Sequence, residues 1–126
     1  MYKAIIIDDE EMARVLLKEM LQPMSNILTV ECLCPDLPSG VKAIKKYNPD
    51  IVFLDIDLPG HSGLELLDFF NEDEINFSII FVTAYNQYAI QAFNMSAVSY
   101  LLKPVQMADL QNAVSLFEKN KNRQNL

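Results

Sequence analysis

Five short apolar segments, separated by stretches with helical periodicity, limit what this chain can fold into. The segments cover residues 4–7, 28–33, 51–54, 79–82 and 100–102. They are rich in β-branched and aromatic residues, which favour strands. Four of them are apolar without interruption, and the second alternates more. Uninterrupted apolar runs of this length predict strands that are covered on both faces, as in a parallel sheet.

Apolar residues recur at helical spacing between these segments. They are Met12, Leu16 and Met20; Val41 and Ile44; Leu64, Leu67 and Phe70; Ala89, Ala92 and Phe93; and Leu110, Ala113, Val114 and Phe117. Strict alternation of strands and helices predicts a doubly wound α/β fold with right-handed crossovers. We expect two helices on one face of the sheet and three on the other. The second helix follows the proline-rich residues 34–40, so we expect it to start late or to kink.

Length, charge and hydropathy restrict the functional classes. The 126 residues fit one domain, and the formal net charge of −7 disfavours non-specific binding of nucleic acid, which requires Lys and Arg. No apolar stretch approaches the roughly 18 to 20 residues of a membrane span. The start of the chain lacks the pattern of a signal peptide, so we expect a cytoplasmic protein. Cys32 and Cys34 are expected to be two small buried residues without a disulfide.

Polar side chains end the predicted strands. Asp8 and Asp9 follow the first strand and Asp55 follows the third, while Thr83 ends the fourth and Lys103 the fifth. In a doubly wound sheet, ligands bind at the carboxyl ends of the strands. We therefore expect these five side chains to lie close together.

This set of side chains has a defined chemistry. Carboxylates about 4 Å apart repel each other by roughly 4 kcal/mol per pair at an effective dielectric constant near 20, so the cluster requires a cation. Mg²⁺ prefers oxygen ligands and suits a small site that retains water. A carboxylate held there is a nucleophile towards phosphorus, and Mg²⁺, Lys103 and the Thr83 hydroxyl can hold the phosphoryl oxygens.

Each residue also has a simpler interpretation. Asp9 can cap the first helix, Thr83 can be an ordinary strand-end residue, and Lys103 with Pro104 can begin the last helix. Asp55 is harder to explain in this way, because charged residues are rarely buried without a partner. If the simpler interpretations were correct, these residues would occupy matching strand ends only by coincidence. A shared site explains all of their positions at once. His61, the only histidine, is expected to be an exposed loop residue.

The ordered motifs resemble the receiver-domain family of two-component response regulators. The matching segments are residues 7–10, residues 53–60 with Ser62 and Gly63, residues 82–84 and residues 100–104, in the order and at the spacing of the family. The resemblance implies a flavodoxin-like (βα)5 fold with strand order 2-1-3-4-5.

The resemblance also implies roles for the acidic residues. Asp55 is the phosphoacceptor, which takes a phosphoryl group from a sensor histidine kinase. Asp9 binds Mg²⁺ directly, Asp8 acts partly through water, and the backbone carbonyl of Asp57 completes the metal site.

The resemblance implies that the remaining matched residues respond to phosphorylation of Asp55. Thr83 and Lys103 contact the phosphoryl group, and Tyr100 is an aromatic switch that turns inward as Thr83 moves. The Lys103–Pro104 bond is cis in this family. The resemblance further implies a homodimer on phosphorylation, and no enzymatic turnover beyond loss of the chain's own phosphoryl group.

Residues 83–93 and 99–104 are similar to receivers attached to LytTR-type DNA-binding domains. We therefore expect a receiver domain over residues 1–119 and, over residues 120–126, the start of a linker to an output domain outside this chain. A single-domain phosphorelay shuttle or adaptor is the alternative.

A haloacid-dehalogenase-like phosphatase is the main enzymatic alternative. The pair Asp55 and Asp57 matches its nucleophile and acid, and Thr83 and Lys103 have counterparts there. The order of the motifs disfavours it, because such enzymes place this pair on the first strand and the paired acids last. A degenerate receiver that signals without phosphate is disfavoured by the intact set of acids.

Overall fold

The computed structural model describes residues 1–124. Seven strands occur in this part of the chain. They are β1 (Tyr2–Ile7), β2 (Leu28–Cys34), β3 (Ile51–Leu54), β4 (Asp57–Leu58), β5 (His61–Ser62), β6 (Ser78–Thr83) and β7 (Ser99–Leu102). Five of them form a parallel sheet in the order β2-β1-β3-β6-β7, and β4 pairs with β5 as a small antiparallel hairpin. Counted over the large sheet alone, the order is 2-1-3-4-5, which confirms the predicted fold.

Helices cover both faces of the sheet. They are α1 (Glu11–Leu21), α2 (Leu37–Tyr47), α3 (Ala89–Asn94) and α4 (Met107–Gln124), with short 3-10 helices at Gln22–Met24, Gly63–Phe69 and Glu72–Glu74. Helices α1 and α4 pack on one face, while α2, α3 and the Gly63–Phe69 helix pack on the other. The predicted division into two and three helices is therefore confirmed.

The core lies on both sides of the central strands. Ile6 and Phe53 face α1 and α4, whereas their neighbours Ile5 and Val52 face α2, and all four are at most 1% exposed. Successive residues of a strand point to opposite faces. Burial on both faces explains why these strands are apolar without interruption.

The third helix differs from the expectation of an α-helix. Residues Gly63–Phe69 form a 3-10 helix, capped at its start by reciprocal hydrogen bonds between Ser62 and Glu65. The apolar residues Leu64, Leu67 and Phe70 are spaced three apart, and three residues per turn is the period of a 3-10 helix. The spacing of these apolar residues is thus the one that a 3-10 helix requires.

The second helix does not start late, and its proline lies in the first turn, where it does not interrupt the helix. Helix α2 begins at Leu37, within the proline-rich run, and the Asp36 carboxylate caps it by accepting a hydrogen bond of 2.8 Å from the Ser39 N–H. Pro38 lies in the first turn, where the N–H that proline lacks would have no partner within the helix.

The last helix extends past the predicted domain boundary. Helix α4 continues to Gln124, five residues past the domain boundary predicted at residue 119, so residues 120–124 are helical. The remaining residues of the predicted linker, 125–126, lie outside the described part of the chain. None of the helices within residues 1–124 is both long and apolar enough to cross a membrane.

Candidate functional site

The parallel sheet brings four strand ends together. Strands β1, β3, β6 and β7 are consecutive neighbours, and Asp8, Asp55, Thr83 and Lys103 lie at or directly after their carboxyl ends. Because neighbouring parallel strands end at the same edge, these four residues lie at one edge of the sheet. The buried polar residues Asp8, Asp55 and Thr83 are 5%, 5% and 0% exposed.

Three carboxylates form the acidic part of this pocket. Asp8, Asp9 and Asp55 each place one carboxylate oxygen within 4.8 Å of the other two, with Asp9 exposed and the others buried. At this distance two unit charges repel by about 3 to 4 kcal/mol at an effective dielectric constant of 20. The cluster is therefore costly for the fold unless positive charge lies beside it.

Lys103 supplies that charge. Its ammonium lies 2.7 Å from a carboxylate oxygen of Asp8 and 2.9 Å from one of Asp55. Burial alone would lower the pKa of Lys103, but its hydrogen bonds to the two carboxylates and their charges raise it above its ordinary value. The Lys103 ammonium is therefore charged at neutral pH. The Lys103–Pro104 bond is cis. Helix α4 begins only at Met107, so these two residues do not form the start of that helix.

The main chain of Asp8 is held on both sides. Its N–H donates to the Cys34 carbonyl at 3.0 Å, and the guanidinium of Arg14 donates to its carbonyl at 2.7 Å. Its carboxylate accepts from the Glu10 N–H at 3.0 Å. Burial raises the pKa of Asp8, and the hydrogen bonds from Lys103 and Glu10 offset part of that rise. The residue at the N-cap of α1 is Glu10, so Asp9 does not have the capping role of the simpler interpretation.

Asp55 is fixed by its own neighbours in the chain. Its N–H donates to the Ile7 carbonyl at 2.9 Å, and its Oδ1 accepts from the Ile56 N–H at 2.7 Å. Gly63 packs directly against its main chain, where a Cβ atom would overlap the Asp55 carbonyl oxygen. The two oxygens of the Asp55 carboxylate therefore have separate partners, the Ile56 N–H at Oδ1 and the Lys103 ammonium at Oδ2.

Asp57 and Tyr85 meet at the rim of the pocket. Asp57 is exposed at the start of β4, and its Oδ2 accepts a hydrogen bond of 3.3 Å from the Tyr85 hydroxyl. The negative charge of Asp57 and this hydrogen bond raise the pKa of Tyr85. The two residues lie two positions beyond Asp55 and Thr83, so the bond joins the β4–β5 hairpin to the loop that follows β6.

Both expected switch residues contact the main chain of Tyr85. The Thr83 hydroxyl accepts a weak hydrogen bond of 3.4 Å from the Tyr85 N–H, and the Tyr100 hydroxyl donates to the Tyr85 carbonyl. The Tyr100 ring is half-buried, with its centroid 6.1 Å from that of Phe81. Thr83 and Tyr100 are therefore linked through one residue of the β6–α3 loop.

His61 is less exposed than predicted. It lies in β5, packs edge-on against Phe69 with ring centroids 5.6 Å apart, and places Nδ1 3.6 Å from a carboxylate oxygen of Glu65. The hairpin and the following 3-10 helix explain these contacts, because they fold the loop back on itself.

The response regulator receiver domain family matches residues 4–115.

The chain belongs to this family.

Curated relatives and solved structures agree with that assignment. The transcriptional regulatory protein BtsR of Escherichia coli is 37% identical over 126 residues, which cover 100% of this chain and 52% of that protein. An uncharacterized response regulatory protein of Vibrio parahaemolyticus is 41% identical over 122 residues, 94% of this chain and 48% of that protein. The chain thus spans about half the length of these relatives.

Similar structures are receiver domains as well. The REC domain of AraT, a response regulator from Geobacillus stearothermophilus, has a TM-score of 0.85 at 27% identity and covers 98% of both chains. The response regulatory domain of protein mrkE from Klebsiella pneumoniae has a TM-score of 0.82 at 26% identity, covering 96% of this chain and 98% of that one. The receiver fold is therefore shared over almost the full chain.

Receiver domains typically bind Mg²⁺ at an acidic cluster, and the donor set of this receiver fits such an ion. Asp8, Asp9 and Asp55 offer hard carboxylate oxygens from three positions, and Asp9 is exposed to solvent. Mg²⁺ is held in proteins by a few carboxylates and retained waters. No sulfur or imidazole ligand belongs to this carboxylate group in residues 1–124, as expected of a site for a hard cation.

Arg14 is a residue of this site that sequence reasoning missed. It contacts the backbone carbonyl of Asp8, and its side chain is half-buried on α1. Arg14 is the fourth residue of α1, so the first turn of that helix brings it back over the end of β1, and its position six residues after Asp8 is the signal in the sequence.

Proposed function

We propose that Asp55 of this receiver domain accepts a phosphoryl group from the phosphohistidine of a sensor histidine kinase, in a reaction that requires Mg²⁺. The observation that carries the proposal is the contact of Lys103 with both Asp8 and Asp55, at 2.7 and 2.9 Å. A buried carboxylate beside two further carboxylates and one ammonium has the charge distribution that phosphoryl transfer needs.

The transfer is a displacement at phosphorus. A carboxylate oxygen of Asp55 forms the new P–O bond while the P–N bond to the kinase histidine breaks, and the electron pair of that bond stays on the imidazole nitrogen. Asp55 is held by the Ile56 N–H at Oδ1, which fixes the orientation of its carboxylate. A bound Mg²⁺, held by Asp8, Asp9, Asp55 and the backbone carbonyl of Asp57, would supply charge stabilisation for the phosphoryl oxygens.

Lys103 and Thr83 then contact the phosphoryl group on Asp55. The ammonium of Lys103 transfers its contact from the Asp55 carboxylate to a phosphoryl oxygen, and the Thr83 hydroxyl turns from the Tyr85 N–H towards the same group. The Thr83 hydroxyl and the Tyr100 hydroxyl both contact the main chain of Tyr85. When Thr83 moves, Tyr85 shifts, and the Tyr100 side chain is released. Phosphorylation thus biases a two-state element made of the β6–α3 loop, α3 and Tyr100.

Labelling with a small phosphodonor tests the chemistry. The chain is incubated with acetyl phosphate and Mg²⁺ and its mass is measured. We expect a gain of one phosphoryl group in the wild type, no gain with EDTA, and no gain for Asp55→Asn.

Asp57→Asn is the matched control for this experiment. It removes an exposed carboxylate two residues from Asp55 but keeps the main-chain carbonyl, so labelling should persist. Equal labelling of Asp55→Asn, or an unlabelled wild type that is folded and loaded with Mg²⁺, contradicts the proposal.

We further propose that the output of the full protein is a LytTR-type DNA-binding domain and that phosphorylation promotes a homodimer. The similarity of residues 83–93 and 99–104 to such receivers supports the output type. That the chain spans 52% of the transcriptional regulatory protein BtsR supports a second domain of comparable size. On this proposal the protein is a cytoplasmic transcription regulator, and contact with DNA belongs to the output domain.

The natural reading frame tests the output. A basic, β-rich continuation after Leu126 establishes the regulator. A stop codon there favours the single-domain shuttle or adaptor. Sedimentation of the chain with and without acetyl phosphate tests the homodimer, which predicts a doubled mass only in the phosphorylated sample.

A further inference from the structure

Two thiols lie side by side at the end of the edge strand β2. Cys32 and Cys34 are both free, and their sulfur atoms are 3.7 Å apart. Cys34 is 2% exposed and packs into the core beneath α2, whereas Cys32 is only partly buried. The pair thus has one closed side, made by α2, and one side open to solvent at Cys32.

The separation of the sulfurs suits a shared metal ion better than a disulfide. A tetrahedral ion with metal–sulfur bonds of about 2.3 Å holds two sulfurs about 3.8 Å apart. A disulfide requires about 2.05 Å. The observed 3.7 Å is therefore close to the spacing of a chelating pair, and the strand needs little movement to bind an ion.

The sulfurs have only weak partners besides each other. Cys34 Sγ lies 3.8 Å from the Ser39 carbonyl oxygen, and Cys32 Sγ lies 4.0 Å from the Leu33 carbonyl oxygen. Contacts of this length are weak for a thiol, so binding an ion would sacrifice little hydrogen bonding. The main cost is the deprotonation of Cys34, because burial raises the pKa of its thiol to about 12. Sulfur ligands select soft ions, which separates this pair from the oxygen ligands of the Asp8, Asp9 and Asp55 cluster.

We propose that Cys32 and Cys34 together bind one thiophilic metal ion of the Zn²⁺, Cd²⁺ or Cu⁺ class. Each thiol gives its proton to solvent, both sulfurs bond to the same ion, and solvent completes the coordination on the side of Cys32. The site is independent of the phosphoacceptor role. It lies next to it, because the Cys34 carbonyl accepts the hydrogen bond of the Asp8 N–H.

Titration with Cd²⁺ tests the site. The reduced 126-residue chain is kept under nitrogen with excess Mg²⁺ to occupy the carboxylates, and the near-ultraviolet absorption of cadmium–thiolate bonds is followed. We expect saturation at one Cd²⁺ per chain. The signal should be lost in both Cys32→Ser and Cys34→Ser, and Asp9→Asn should keep it.

Other results overturn the proposal. Saturation at half an equivalent means that one ion bridges two chains, and a signal that survives Cys34→Ser means that Cys32 binds alone. No signal while both thiols still react with a thiol reagent in the unfolded chain means that the folded pair does not bind. If Cys34→Ser does not fold, Cys32→Ser decides, because Cys32 is partly exposed and its replacement leaves the core intact.

Discussion

The Tyr85 hydroxyl lies 3.3 Å from a carboxylate oxygen of Asp57, and this bond joins the β4–β5 hairpin to the loop that follows β6. The bulk of Tyr85, which contacts Asp57 two positions beyond Asp55, predicts that water reaches a phosphorylated Asp55 slowly, so that the phosphoryl group is moderately to long-lived. We expect Tyr85→Ala to shorten the half-life of the phosphorylated chain severalfold, measured by the loss of phosphoryl mass after the donor is removed.

Tyr85→Phe is the control for that prediction. It removes the hydrogen bond to Asp57 and keeps the ring, so its half-life should stay close to that of the wild type. A half-life of seconds in the wild type contradicts the prediction. A loss in Tyr85→Phe as large as in Tyr85→Ala would assign the effect to the hydrogen bond and not to bulk.

The hydroxyl of Tyr100 should restrain the β6–α3 loop. Tyr100→Phe keeps the ring beside Phe81 and removes the hydrogen bond to the Tyr85 carbonyl. We expect faster amide hydrogen exchange over residues 84–88, a change in the free energy of unfolding of about 1 kcal/mol or less, and unchanged labelling of Asp55. Tyr2→Phe, on the opposite face of the sheet, should leave exchange in this loop as it is. Unchanged exchange in Tyr100→Phe would show that the loop is held by other contacts.

The acidic cluster should make the metal-free domain less stable as pH rises. The pKa of Asp8 is raised above 3.8 by burial, so the folded protein binds this proton more tightly than the unfolded chain. Stability therefore falls as pH increases from 3.8 through the raised pKa. Asp8→Asn resembles the neutral form, and in EDTA at pH 7 it should have a higher Tm than the wild type, an advantage that shrinks as pH approaches 4.

Thermal unfolding followed by circular dichroism between pH 4 and 7 measures this difference. Asp68→Asn, which replaces an exposed carboxylate of the Gly63–Phe69 helix, should show no such pH-dependent gain. A lower Tm of Asp8→Asn at pH 7 would mean that the ion pair with Lys103 outweighs the cost of burying Asp8.

Two glycines should respond differently to the same substitution. A Cβ at Gly63 would overlap the main chain of Asp55, which cannot give way, whereas a Cβ at Gly40 would meet the side-chain end of Ile7. We expect Gly63→Ala to destabilise the fold by about 3 kcal/mol and to weaken labelling of Asp55, because it displaces the acceptor. Gly40→Ala should cost about 1 kcal/mol and leave labelling intact. Urea unfolding of both variants provides the comparison, and equal costs would contradict it.

The parts of the site that follow from strand topology could be predicted. Asp8, Asp55 and Lys103 each come directly after an apolar run, and a parallel sheet gathers such positions at one edge. The contacts of Arg14 with the Asp8 carbonyl and of Tyr100 with the Tyr85 carbonyl could not, since the main chain accepts bonds from any residue that reaches it. The early start of α2 does not follow from the prolines alone, because proline breaks a helix in its interior but is tolerated in its first turn.

Thr83 and Tyr100 hold the N–H and the carbonyl of the same residue, and this arrangement obliges their states to be thermodynamically coupled. If a change at Asp55 alters the free energy of one Tyr100 position, then fixing Tyr100 must alter the free energy of the modified Asp55 by the same amount. A partner protein that binds Tyr100 in one position would therefore shift the phosphorylation equilibrium of Asp55, without contacting Asp8, Asp9 or Asp55.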